Sequence, residues 1–220
     1  MPNDTEKSLP VALELRLQDA DHRMYSPSAG RNAEPILNVF KRLLRGKVLE
    51  IGCGTGEHAV SFAEAMPGLC WLPTDPDAAS RASTASWIRF KALTNVLSPL
   101  DVDASAAIWD VEALAPFDAV VSINMVHIAP WAATLGLLKG AGRVLGGGGL
   151  LCLYGPFLHN GVHNAPSNAA FDASLKERNP SWGLRDIAEL EDLAGPSGLE
   201  LSEIIDMPAN NRLLVFHRCG

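Results

Sequence analysis

Residues 50–56 read Glu-Ile-Gly-Cys-Gly-Thr-Gly, an acid and then glycines at alternate positions, at the end of an apolar run that includes Val48, Leu49 and Ile51. Glycine is needed where a backbone turns sharply or where a ligand must reach the main chain with no Cβ in between. A strand that runs into such a turn and on into a helix places the turn at the carboxyl end of a parallel sheet, the edge where α/β proteins bind ligands. The spacing then sorts the ligands. A dinucleotide loop, G-x-G-x-x-G, needs its third glycine at position 57, where Glu57 would oppose a pyrophosphate. A triphosphate loop ends in Lys followed by Ser or Thr, and no such pair closes this run. Downstream, Asp75 stands where Rossmann-like proteins set an acid against ribose hydroxyls, which donate to a carboxylate. Taken singly, an Asp at a strand end is a turn or cap former, the role expected of Asp77. Acids at the ends of three consecutive strands, Glu50, Asp75 and Asp101, are harder to assign to capping.

The elements that must carry these residues alternate between short apolar runs and helical stretches, the pattern of βαβ units. The sequence predicts strands at 47–51, 69–74, 96–100, 119–123 and 150–154, with helices at 36–45, 57–66, 78–91 and 131–145 between or before them. The run Gly146 to Gly149 is expected to stop the last of these helices. Residues 157–182, rich in Asn, His, Ser and Pro, are longer than an ordinary connection and read as a functional loop or lid. A short helix at 186–193 and strands at 199–206 and 212–218 follow, the last two joined tightly enough to be antiparallel. The expected fold class is α/β, a Rossmann-like seven-stranded, mostly parallel sheet with an antiparallel last strand, helices on both faces and an N-terminal cap segment. Residues 1–46 form the lead and cap helix, and 47–220 the main domain, with a lid-like insertion at 157–183. Ligand-facing loops then fall at 52–56, at Asp75 and Asp101, at 124–127 and at 154–157, with Asn210 and Asn211 turning at the same edge.

At 220 residues with 47% hydrophobic content, the chain fits one α/β domain with a substantial core. A formal net charge of −7 opposes a nucleic-acid binder, which needs concentrated basic surface. The densest basic cluster, Lys41, Arg42, Arg45 and Lys47, falls at an expected helix C-terminus, where the helix dipole favours cations. Cys53, Cys70, Cys152 and Cys219 show neither zinc nor redox spacing, no His/Asp/Glu set has metal-ligand spacing, and the G-x-S-x-G hydrolase elbow is missing. Residues 1–10 are polar and unlike a signal peptide, and no apolar run is long enough to span a bilayer. The expectation is a cytoplasmic protein, monomer or homodimer, with no metal, nucleic-acid or membrane partner.

The E-x-G-x-G-x-G run resembles the first motif of class I S-adenosylmethionine-dependent methyltransferases, whose cofactor carries a sulfonium and an ammonium group but no phosphate. Segments 30–37 (G-R-N-A-E-P-I-L), 49–62, 124–131 (N-M-V-H-I-A-P-W), 154–157 (Y-G-P-F), 167–180, 182–186 (W-G-L-R-D) and 207–211 (M-P-A-N-N) are similar to the methyltransferase-like 26 family. Gly30 departs from it, standing where an acid would precede Arg31 and Asn32. The resemblance implies that S-adenosyl-L-methionine is the cofactor and a small molecule the methyl acceptor. Its cofactor set here is Arg31, Asn32, Glu50, Gly52, Cys53, Gly54, Gly56, Asp75, Asp101, Val102, Asn124 and Met125, with Asp101 accepting from the adenine amino group. His127, whose imidazole can take a proton near neutral pH, is the leading general base, with Tyr154 second. Phe157, His163, Asp172, Asn210 and Asn211 are expected around the acceptor. Two competing readings remain at this point, an NAD(P)-dependent oxidoreductase and a non-catalytic Rossmann-like binding module.

Overall fold

A computed structural model describes residues 17–220; residues 1–16 of the expected lead lie outside the described residues. A short hairpin, β1 (Leu17–Gln18) and β2 (Met24–Tyr25), leads into α1 (Pro27–Leu43). There follow β3 (Lys47–Ile51), α2 (Glu57–Ala65), β4 (Cys70–Thr74), α3 (Ala78–Phe90), β5 (Phe117–Ile123), α4 (Trp131–Val144) and β6 (Leu145–Gly155). The hairpin β7 (Leu158–His159) and β8 (Val162–His163), α5 (Pro166–Arg178), α6 (Ile187–Ala194), β9 (Leu199–Met207) and β10 (Asn211–Arg218) complete the chain.

The main sheet has six strands in the order β4-β3-β5-β6-β10-β9. β3, β4, β5 and β6 are mutually parallel, and β10 runs antiparallel to both neighbours. Central strands buried on both faces read as unbroken apolar runs, and in β5 only Asp118 is exposed. One face is covered by α1 and α2, where Phe40 and Phe62 pack edge to face beside Trp71 of β4. The other is covered by α4 and α6, through Leu137, Leu138 and Leu190. Among the described residues no helix is long and apolar enough to cross a membrane.

Three expectations need correction. The seventh strand, 96–100, forms only isolated parallel bridges to β4, from Val96 to Trp71 and from Leu100 to Thr74. The ladder between them cannot close, because Pro73 on one side and Pro99 on the other both lack an N–H. The cap helix begins nine residues early, at Pro27, leaving Pro35 inside it; a proline at the first turn is the better start signal, and burial of Ile36, Val39 and Phe40 holds the helix through the second. The glycines at 146–149 do not end α4 but open β6 with a register shift against β5, their small size letting Gly149 sit where a Cβ would be 2.9 Å from the Gly146 carbonyl oxygen.

Gly56 ends the glycine turn at φ 85°, and a Cβ there would lie 2.7 Å from Cα of Thr84 on α3. Gly56→Ala is expected to destabilise the fold by about 2–4 kcal/mol, the combined cost of left-handed backbone and helix displacement, read as a lower urea midpoint. An unchanged midpoint would show that α3 yields freely.

Candidate functional site

A cavity of about 1830 Å³ opens along the carboxyl ends of the parallel strands. That exceeds the roughly 300–1,000 Å³ of a single small-molecule site and leaves room for two ligands side by side. One wall is the glycine turn. The amides of Gly52 and Cys53 both donate to the Thr74 carbonyl (2.9 Å each), Gly56 donates to Cys53, and Gly54 donates to Oδ2 of Asp75 (2.9 Å). Gly52 is needed for close approach, since a Cβ would meet Cγ of Met125 at 2.7 Å. The turn therefore touches β4 and the segment after β5 at once.

Of the expected cofactor set, Arg31, Asn32, Gly52, Cys53, Gly54, Asp75, Val102, Asn124 and Met125 line this cavity. Asp75 is 8% exposed, and its other oxygen accepts from the amide of Asp77, which itself caps α3 as expected. Three residues stand elsewhere. Gly56 lies behind the turn against Thr84. Asp101 turns outward to pair with Arg81 at 3.1 Å, and the wall at that level is built by residues 102–105. Glu50 is buried below the turn, where its carboxylate accepts from Trp71 Nε1 at 2.8 Å; burial pushes its pKa up to about 7 against the opposing effect of that N–H.

The turn after β5 starts with Asn124 at φ 60° and brings His127 onto the cavity wall at 1% exposure. Among the described residues neither ring nitrogen has a hydrogen-bond partner, and the ring stands edge to face on Phe157. Gly155 makes room for it, because a Cβ there would lie 2.4 Å from Nε2. Burial, with the nearby Arg185 cation second, lowers the His127 pKa to about 3, so the ring is neutral rather than poised near pH 7. The backbone of this turn is strapped from behind by the W-G-L-R-D segment. Gly183 donates to the His127 carbonyl (3.0 Å), and Arg185 donates to the carbonyls of Val126 (2.9 Å) and Ala129 (2.8 Å).

Tyr154 is not on the cavity wall. Its ring is enclosed on the α1 face, its hydroxyl accepts from Asn211 Nδ2 (3.1 Å), and burial pushes its pKa up to about 12, a position that suits packing rather than proton transfer. Phe157 is core. His163 and Asp172 also stand off the wall: Asp172 is a hub that accepts from Lys176, from the Leu184 amide and, at 3.1 Å, pairs with His163 Nε2. Of the acceptor set only Asn210 and Asn211 line the cavity. The sequence reading missed Ser167, Asn168 and Phe171, which line it from α5. Reading 157–182 as loop hid them; Pro166 in the first turn and the helical spacing of Asn168 and Phe171 are the signals that place them on one face. Ser26 and His58 complete the wall near α1, with no signal in the sequence to find them.

A mostly parallel α/β sheet with a single antiparallel strand, and a glycine turn and strand-end acid at one large cavity, make this the methyltransferase-type Rossmann-like fold. The chain belongs to the family described as a protein of unknown function, DUF938, whose model matches residues 23–218. Solved structures similar in fold include the mitomycin 7-O-methyltransferase MmcR, at 15% identity and a TM-score of 0.75, over 88% of this chain and 55% of that one. An O-methyltransferase family protein from Burkholderia thailandensis has 15% identity and a TM-score of 0.74, over 88% of this chain and 58% of that one. CalO1, a methyltransferase in calicheamicin biosynthesis in its SAH-bound form, has 18% identity and a TM-score of 0.67, over 85% and 54%. The chain thus spans little more than half the length of each.

Glu50 gives a pH signature of its own. A carboxyl whose folded pKa is about 7 against an ordinary value of 4.5 holds its proton preferentially in the folded state, so stability is highest below pH 4.5 and declines as pH rises toward 7. Glu50→Gln keeps an oxygen for the Trp71 N–H and removes the decline. We expect the variant to be more stable than the parent at pH 8 by on the order of 1–3 kcal/mol, and level with it near pH 4, by urea denaturation. Parallel pH profiles would assign the titration to another group.

Proposed function

We propose that this chain is an S-adenosyl-L-methionine-dependent methyltransferase acting on a small-molecule acceptor. The observation that carries this reading is the hydrogen bond from the Gly54 amide to Asp75. A dinucleotide turn must keep its amides for a pyrophosphate, whereas here those of Gly52, Cys53, Gly54 and Gly56 are spent inside the protein and a carboxylate stands beside them. Such a turn suits a cofactor with hydroxyls and cationic groups and no phosphate.

Asp75 would hold the ribose hydroxyls, the backbone at Val102 and its neighbours the adenine edge, and Asn124, Met125 and Asn32 the methionine end. The revised role of Asp101 is to fix Arg81, which also donates to the Asp75 carbonyl. S-adenosylmethionine would supply a sulfonium-activated methyl carbon, to which an acceptor lone pair bonds in line as the C–S pair departs with sulfur in S-adenosylhomocysteine. The chain's own contribution is position and exclusion of water. In this reading His127 would take the acceptor's proton once the wall parts to uncover one of its ring nitrogens, both of which are sealed in the structure.

Calorimetric titration with S-adenosylhomocysteine tests the cofactor directly; heat from NAD(P) and none from S-adenosylhomocysteine would favour the oxidoreductase. Asp75→Ala should weaken S-adenosylhomocysteine binding by at least ~10-fold, since it removes the ribose partner and frees the turn. Unchanged affinity would remove Asp75 from the site. His127→Ala should leave that affinity alone and slow transfer by about 100-fold. With its pKa lowered to about 3, His127 stays neutral across the working range, so it adds no loss of rate between about pH 8 and pH 5. A loss centred near pH 6.5 that His127→Ala abolishes would show the ring to be solvated and basic.

A further inference from the structure

The cavity continues past the glycine turn to a wall made by α5 and the turn between β9 and β10, where three Asn side chains cluster. Asn168, 5% exposed, donates its Nδ2 hydrogens to Oδ1 of Asn164 (2.7 Å) and to the carbonyl of Asn210 (2.9 Å). Asn211 donates from Nδ2 to the Tyr154 hydroxyl (3.1 Å) and the Pro208 carbonyl (3.2 Å), and Asn210 donates to Oγ of Ser167 (3.4 Å). A backbone carbonyl can only accept, so the nitrogens of Asn168 and Asn211 must face those carbonyls. What these amides turn toward a ligand is oxygen. Phe171 adds an apolar ring.

None of these side chains is charged at neutral pH, and the one Lys or Arg on the cavity wall among the described residues, Arg31, lies on the cap helix α1. A carboxylate or phosphate placed against the Asn oxygens would give up its water and meet other acceptors, which is costly for a buried charge. A cation would meet oxygens, but beside the positive sulfonium that the methyl donor brings. A hydroxyl or N–H satisfies every group there. We infer that α5 and the β9–β10 turn form an acceptor subsite for an uncharged, flat molecule bearing at least two O–H or N–H donors, directed to the oxygens of Asn168 and of the Asn210–Asn211 turn. Its role as a methyl-acceptor site and its discrimination against cations rest on the methyltransferase reading; its preference for neutral donors over anions rests on the wall alone.

The test uses the full chain and calorimetry, with sinefungin, an unreactive cofactor analogue whose amine carries the sulfonium's charge, titrated first. Resorcinol, benzoate and benzylamine, matched in size, are then titrated into the loaded protein. Resorcinol is expected to bind at least ~10-fold more tightly than either charged probe, because only it satisfies the wall without burying a charge. Asn168→Ala should weaken resorcinol by about 10-fold and leave sinefungin unchanged. Asn210→Gly serves as the second variant should Asn168→Ala not fold: Asn210 sits exposed at φ 59°, a backbone glycine adopts without strain, and the same loss is expected. Charged probes that bind as tightly as resorcinol overturn the inference. So does a folded variant with unaltered resorcinol affinity, or no resorcinol binding at millimolar concentration. If sinefungin fails to bind while free protein still prefers resorcinol to benzoate, the methyltransferase reading falls and the subsite stands; sinefungin binding without that preference gives the reverse.

Discussion

The contact on which the rest of this site depends is the one between the glycine turn and Asp75. Four amides of the turn are consumed by Thr74, Cys53 and Asp75. An orphan backbone N–H in a pocket must find an anion or water, and one already paired to a carboxylate has neither need nor room for a phosphate. The same contact sets the distance between β3 and β4 at their carboxyl ends, so the shape of the cavity and the charge of its floor are fixed together. Asp75 is in turn held by the amide of Asp77, which caps α3, so the acid's orientation is built into the start of that helix. A second carboxylate, on Glu57, binds the amide of Ser26 at 2.6 Å and the hydroxyl of Thr55. The two acids divide the turn between them, one facing the cavity and the other the cap.

His127 shows the opposite device, a polar group left unsatisfied in a packed wall. Leaving a buried imidazole without a partner costs free energy that the fold must offset elsewhere. The offset is visible in the strap behind it: Gly183 and Arg185 hold three carbonyls of the turn, and Asp172 holds the strap in place through the Leu184 amide. Asp172 and His163 were expected to touch an acceptor and instead brace the structure that presents His127. Polar residues in a lid are ambiguous in sequence because a buried bracket and a binding group draw on the same side chains; only the direction in which they face tells them apart.

Much of the fold was legible because its signals are local. The apolar run at 47–51, the acid-and-glycine turn and the helix starting at Glu57 each follow from neighbouring residues, and each was placed to within a residue. The misplacements share a cause, which is that the deciding interaction is distant in sequence. Pro35 reads as a helix start until burial of Ile36 and Phe40 against the sheet carries the helix through it. The glycines at 146–149 read as a stop until pairing with β5 draws them into a strand. Asp101 is a strand-end acid like Asp75, and what separates them is Arg81 on α3, which claims one carboxylate and bonds the other residue's carbonyl. No spacing rule within 96–103 carries that information.

Glu57 joins the local and the distant. In sequence it counts against a dinucleotide because it occupies the third-glycine position. In the structure its carboxylate, half buried, is where the N-terminal segment meets the turn, and the attachment is doubled nearby: the Met24 amide donates to Oγ of Ser83, which donates onward to the Thr55 carbonyl, while Trp87 Nε1 bonds the Met24 carbonyl. A glycine at 57 would leave the Ser26 amide without its acceptor and loosen α1, the helix that brings Arg31 and Asn32 to the cavity. Anchoring the cap is thus what this side chain does in the structure, its carboxylate turned away from the cavity. The wall that α1 contributes to the cavity therefore depends on the residue whose position made the glycine turn informative in the sequence.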